Sequence, residues 1–356
     1  MRYDIFNDKT TAMRIIQKIR SFSQDVKIMH VCGTHEQTIT KNGLRALLPE
    51  NVKVVPGPGC PVCITPASEI NSAIQISRQG AIITTYGDML RVPGTTSSLA
   101  KEKAQGGDVR VVYSPFEARE IAMRNPDKQV VFLGIGFETT APMTAHIIKT
   151  APENFSVLCS HRLVPPAMEL LLKGGYDIDG FIDPGHVSAI IGISPYEKIC
   201  EEFHTPQVIA GFEPLDVLMS ILMILKQIRN NTAKVENEYW RAVKPEGNMQ
   251  ALRVMSEVFE PCSKEWRGLP VIPGASLKLR TEFSEFDAEK RFDLTPEGEA
   301  CGTDCPMCGS ILKGISNPQD CELFGKLCTP ENPVGACMVS SEGTCNIEYR
   351  YGLSII

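Results

Sequence analysis

The chain lacks a basic excess. Its 36 Lys and Arg are outnumbered by 42 Asp and Glu, giving a formal charge of -6. No dense Lys/Arg patch interrupts that balance, so no nucleic acid is expected as a partner. Long hydrophobic runs are missing too. No stretch reaches the roughly 18 apolar residues of a membrane helix. The longest run, near residues 217–225, reads as a buried helix, so no membrane is expected. Residues 1–9 have no apolar centre, which argues against a signal peptide and for a cytoplasmic protein. Several catalytic signatures are also absent. There is no GxxxxGK(S/T) loop, no GxSxG and no HExxH, and Gly134-x-Gly136 lacks the rest of a dinucleotide fingerprint. Nucleotide hydrolysis, serine-hydrolase chemistry and zinc-protease chemistry therefore have no support.

Cysteine is present in excess. Seven of the thirteen cysteines fall after residue 300: Cys301, Cys305, Cys308, Cys321, Cys328, Cys337 and Cys345. Structural disulfides are rare in a reducing compartment, so these thiols read as metal ligands or redox groups. Cys301-x3-Cys305-x2-Cys308 has radical-SAM spacing, but only 48 residues follow Cys308, too few for the barrel that chemistry needs. A zinc ribbon would use Cys305 and Cys308 with two later cysteines and leave three unexplained. An iron–sulfur cluster on four of the seven accounts for the count better.

The rest of the chain, 356 residues in all, alternates short β-branched runs with helical patterns. The runs are 26–31, 52–55, 81–84, 109–113, 129–135, 156–159, 180–182 and 207–210. That rhythm predicts an α/β fold with parallel sheet. We expect two Rossmann-like half-domains of four strands each, facing a cleft, and a C-terminal cysteine-rich domain. The boundaries fall at 1–125, 126–240 and 241–356, with the first break at Asn125-Pro126-Asp127. An amphipathic helix over 4–22 leads in, with Met13, Ile16 and Ile19 on its apolar stripe. A long helix is expected over 213–240, and 240–300 reads as less regular.

Ligands of open α/β sheets sit beyond the carboxyl ends of strands, and the unusual residues fall there. Cys32-Gly33-Thr34-His35-Glu36 follows the first strand. A helix N-terminus and a neighbouring imidazole would lower the Cys32 pKa, with Glu36 orienting His35; a buried Cys beside a surface His is the alternative. Gly57-Pro58-Gly59-Cys60-Pro61-Val62-Cys63 follows the second strand. Its CxxC can cycle between dithiol and disulfide or supply two zinc ligands, and redox is favoured because no second CxxC lies near. Gly136-Phe137-Glu138-Thr139-Thr140 and Asp183-Pro184-Gly185-His186 should face the same cleft and shape what the thiols hold. Cys159, Cys200 and Cys262 read as structural, and Met219 and Met223 as core.

Together these motifs closely resemble the HypD family of nickel–iron hydrogenase maturation proteins. The likeness extends through Gly136-Phe-Glu-Thr-Thr-Ala-Pro142, Pro184-Gly-His-Val-Ser188 and Gly335-Ala-Cys-Met-Val-Ser-Ser-Glu-Gly-Thr-Cys345. It implies a scaffold that builds an iron centre with two cyanides and one carbon monoxide. The implied partners are a small HypC-type chaperone, a HypE-type cyanide carrier and, indirectly, the hydrogenase large subunit. By the same resemblance Cys32 would hold the iron of a transient Fe(CN)2CO unit. Cys60 and Cys63 would be a redox pair. Cys305, Cys321, Cys328 and Cys345 would hold a 4Fe-4S cluster, with Cys308 and Cys337 as a second dithiol beside it. Cys308 in place of Cys305 is the nearest alternative ligand set. The resemblance implies a redox-active assembly platform more than a turnover enzyme.

Overall fold

The computed structural model describes residues 8–295 and 305–352. All eight anticipated strands form. They are β1 (Val26–His30), β2 (Val52–Pro56), β3 (Ile82–Thr85), β4 (Val109–Val111), β5 (Val130–Gly136), β6 (Phe155–His161), β7 (Gly180–Pro184) and β8 (Gln207–Ala210). Three more follow: β9 (Val235–Asn237), β10 (Phe259–Trp266) and β11 (Leu269–Leu279).

The strands do not divide at Asn125-Pro126-Asp127 as expected. One parallel sheet runs β2-β1-β7-β8-β9 and the other β4-β3-β5-β6. The chain leaves the first sheet after β2, builds the whole second sheet, and returns at β7. Ile28, Met29 and His30 of β1 pair with Gly180, Phe181 and Ile182 of β7. An apolar run identifies a strand, but its neighbour is chosen by how the crossovers pack, which the run does not encode.

The inner strands of both sheets, and β6, are buried on both faces, which is why they read as continuous apolar runs. At the sheet edges β2, β4 and β9 are partly exposed. Successive side chains still alternate. Ile28, Ile182 and Val208 face the helices Lys9–Arg20 and Pro214–Arg229. Met29, Phe181 and Ile209 face Tyr196 and the helix Val164–Lys173. In the second sheet Ile82, Val130 and Phe132 point to one face, and Ile83, Val131 and Leu133 to the other.

Three local expectations shift. The lead-in helix is Lys9–Arg20, capped by Asp8, and buries Ile15, Ile16 and Ile19. Met13 is instead 51% exposed. The helix from Pro214 stops at Arg229, where Asn231 takes a left-handed φ of 50°, a conformation asparagine tolerates better than most residues. The irregular stretch contains the antiparallel β10–β11 hairpin. Gly268, Pro270, Pro273 and Gly274 break its alternation in the sequence; Gly and Pro are normally kept out of strand interiors. Among the described tail residues, short helices Cys308–Leu312, Ala336–Val339 and Thr344–Tyr351 carry the chain. The last packs on the helix Gly33–Lys41, bringing the tail to the first thiol motif.

Candidate functional site

Because β1, β2, β7 and β8 run parallel, their carboxyl-end loops meet at one edge of the first sheet. Cys32 stands at the N-terminus of the helix Gly33–Lys41. Its Sγ lies 4.0 Å from His186 Nδ1, brought in by the loop after β7. The turn after β2 presses in from the other side. Gly59 abuts the Cys32 backbone so closely that a Cβ there would overlap Cys32 N and Val31 C. Gly33 likewise leaves no room for a Cβ against Glu342 of the tail, 2.5 Å from its carbonyl oxygen.

The electrostatics differ from the sequence expectation. Burial pushes the Cys32 thiol up to about 12, and the amides of His35 and Thr34 and the Thr34 hydroxyl only partly offset it. His35, expected to activate the thiol, turns away. Its Nε2 lies 2.9 Å from Gly211 O, and burial, then His30, lowers it to about 3. It is a neutral donor to a carbonyl. Glu36 does not orient His35 either. It accepts from His30 Nε2 at 2.7 Å and from Arg45 Nη2 at 2.6 Å. Burial raises the Glu36 pKa, but Arg45 and His30 together hold it well below the carboxylate range. His186, lowered by burial to about 4, is the imidazole that faces Cys32. Phe212 lies between the two imidazoles, its ring centroid 5.0 Å from His35 and 5.1 Å from His186.

Cys60 and Cys63 are joined by a disulfide at the short helix Pro61–Ile64, and the Cys63 amide donates to Cys60 Sγ at 3.3 Å. A small cavity touches this disulfide, Cys32 and Cys337 together. Cys337 arrives on the helix Ala336–Val339, which packs on Pro61–Ile64.

The second group of loops belongs to the other sheet. Gly136, at φ +135°, leaves no room for a Cβ beside Thr140. Thr140 in turn approaches His161. Thr139 is partly buried beside it. Glu138 accepts from the Val164 amide at 3.0 Å, and burial raises it to about 7. Asp183 is fully buried, neither carboxyl oxygen has a partner, and burial raises it well above the carboxylate range. Tyr196 senses Asp183, Glu138 and Cys32 together, so these groups of both sheets share one interior. A buried carboxyl group without a cation is held neutral by its surroundings.

In the tail, Cys305 and Cys308 hydrogen-bond one another, which lowers Cys305 to about 6, burial opposing and Arg267 assisting. Cys345 pairs with Cys337, whose Sγ also accepts the Cys345 amide at 3.3 Å. The four lie within each other's fields. Each thiol set aside as a second dithiol thus holds a thiol assigned to the cluster. Cys328 joins Cys337 and Cys345 in one apolar cluster and accepts the Val334 amide at 3.4 Å. Cys321 is half-buried on the preceding loop. Cys301 lies outside the described residues. Among the described residues no three His, Cys, Asp or Glu side chains converge as the ligands of a single ion. The donors are nevertheless thiols, grouped within reach of a buried guanidinium, and thiolates are what an iron–sulfur cluster takes. Cys159, taken as structural, donates to Leu277 O at 3.2 Å. Met219 and Met223 pack against the core.

Sequence reasoning missed Arg267 and Tyr196. Arg267 lies in a stretch read as irregular, and Tyr196 carries no motif. No helix among the described residues is long and apolar enough to cross a membrane.

A parallel α/β scaffold that gathers Cys32, the Cys60–Cys63 disulfide and Cys337 around one small cavity defines a sulfur-rich α/β protein. Comparison with known proteins makes this specific. The family model described as HypD, hydrogenase formation hypA family, matches residues 9–352. A putative hydrogenase expression/formation protein of Methanocaldococcus jannaschii is 51% identical over 352 residues, 97% of this chain and 98% of its own. The hydrogenase maturation factor HypD of Cupriavidus necator is 47% identical over 374 residues, 99% and 97% of the two chains. That of Azotobacter vinelandii is 45% identical over 373 residues, again 99% and 97%. The chain belongs to the HypD family of hydrogenase maturation factors.

Proposed function

We propose that the chain is the scaffold on which the Fe(CN)2CO unit of nickel–iron hydrogenases is assembled, with Cys32 holding the iron as cargo. The observation that carries this is the placement of Cys32. It lies 4.0 Å from His186 and lines one small cavity with the Cys60–Cys63 disulfide and Cys337. A thiol whose proton is held by burial is released by a metal, since only the thiolate is a ligand. Cyanide is a strong-field ligand, so low-spin Fe(II) on thiolates is a suitable carrier. A HypC-type chaperone would supply the other thiolate, and a HypE-type carrier the cyanide. Cys60, Cys63 and a 4Fe-4S cluster on the tail thiols would supply and remove electrons. The scaffold is an assembly platform with a redox contribution.

The disulfide favours a second reading, a thiol–disulfide oxidoreductase fed by the cluster. An infrared spectrum separates the two. The chain is purified anaerobically with its small chaperone from cells that contain the cyanide-supplying partner. The scaffold reading expects cyanide and carbon monoxide stretches that vanish in Cys32→Ser. Their absence from the wild-type complex, with the iron–sulfur cluster intact, decides for the oxidoreductase.

A further inference from the structure

The tip of the β10–β11 hairpin holds a buried cation that the roles above do not use. Arg267 is 4% exposed. Its backbone amide donates to Ile64 O at 2.8 Å, directly after the CxxC. Its Nε donates to Thr65 O at 2.7 Å and its Nη2 to Pro93 O at 3.1 Å. Nη1 is buried and has no partner. All its hydrogen bonds go to carbonyls, and no carboxylate among the described residues pairs with it. Trp266, the residue before it, packs in one apolar cluster with Cys308 and Cys305. The adjoining turn fixes this placement. Gly268, at φ +76°, packs so tightly on Gly309 that a Cβ would come within 2.9 Å of Gly309 Cα, one residue beyond Cys308.

A buried cation is retained where an anion compensates it. The groups the turn brings beside it are thiols, which become anionic when they hold a cluster. We propose that Arg267 is the counter-ion of the tail sulfur centre and sets its reduction potential. It is a positioning residue, not a ligand. This inference rests on the cluster reading above. A cluster on four thiolates is anionic, and one-electron reduction adds one more negative charge. The guanidinium therefore favours the reduced form, and its removal lowers the potential. No bond forms or breaks in that step, and the electron comes from the reductant added.

The test compares wild type, Arg267→Met and Arg267→Lys, all purified anaerobically. Iron and sulfide are assayed first. The samples are then titrated with dithionite through redox dyes while the cluster absorbance is followed. Lysine keeps the charge but cannot reach both carbonyls, whereas methionine loses both functions. The expected result is an equal iron and sulfide content in all three. In Arg267→Met the one-electron equilibrium shifts at least tenfold toward the oxidised form, about 59 mV lower. Arg267→Lys stays within about threefold of wild type. Arg267→Gln replaces the methionine variant should that chain not fold. A loaded cluster with an unchanged potential in the uncharged variant overturns this inference and leaves the cluster reading standing. A lysine variant that shifts as far as the uncharged one also overturns it, because the carbonyl contacts and not the charge would then matter. Wild type without iron and sulfide overturns both.

Discussion

Around Cys32 the buried charges are matched, whereas around Cys305 and Cys308 one is not. Glu36 is held by Arg45 and His30, and both neighbouring imidazoles, His35 and His186, are neutral. The thiol sits in surroundings that oppose its ionisation. In the tail a guanidinium faces sulfur with no carboxylate partner, and Cys305 ionises below the ordinary thiol range. In the first region burial opposes loss of the Cys32 proton; under the proposed scaffold role a metal would displace it. In the second, Cys305 is drawn toward the thiolate while Cys308 is held protonated by that same hydrogen bond and by burial, so the region accommodates negative charge beside Arg267. A carrier that must load and release an ion suits the first environment, and a resident anionic group suits the second.

The comparison can be broken most strongly at the backbone of the first region. Gly59→Ala would drive a Cβ into the main chain of Val31 and Cys32, which cannot swing aside as a side chain can. We expect a loss of about 3 kcal/mol in urea denaturation and a displaced Cys32. Gly57→Ala meets mainly the flexible end of Met29, at 2.7 Å, and should cost nearer 1 kcal/mol. Equal costs would mean that the turn after β2 does not position the thiol.

A somewhat smaller effect sharpens the charge argument. Glu36→Gln leaves Arg45 and His30 without their anion and should cost about 2 kcal/mol, discounted because Arg45 is 34% exposed. The pH dependence has a definite sign. The folded pKa of Glu36 is lowered from 4.5, since Arg45 and His30 outweigh the opposing burial. Its contribution is therefore complete above 4.5 and is lost only as the pH falls through the lower folded value. The gap between wild type and variant should be flat near neutral pH and close under acid. A gap that widens under acid would remove Glu36 from this role.

Much of this was legible in the residues. Eight apolar runs gave eight strands, and the strand-end rule placed Cys32, Asp183 and His186 beyond strand ends. It assigned Cys32 to one half-domain and Asp183 and His186 to the other, whereas β1 and β7 are neighbours in one sheet. The sheet partners were not legible, because β1 chooses β7 through tertiary packing rather than through its own sequence. The roles of His35 and Glu36 were misassigned because spacing along a helix says which residues are near, not which way their rings turn. His35 finds Gly211 O, some 176 residues away in the chain. Arg267 was hidden by the prolines that disguise its hairpin, and only the fold places it beside sulfur.

The most direct test of two sulfur regions with separate tasks is Cys32→Ala in cells that need this chain for hydrogenase maturation. Hydrogenase activity is measured alongside the iron and sulfide content of the purified variant. The account predicts that activity is abolished while iron and sulfide stay at the wild-type level. Activity that survives the substitution, or iron and sulfide lost together with activity, would contradict it.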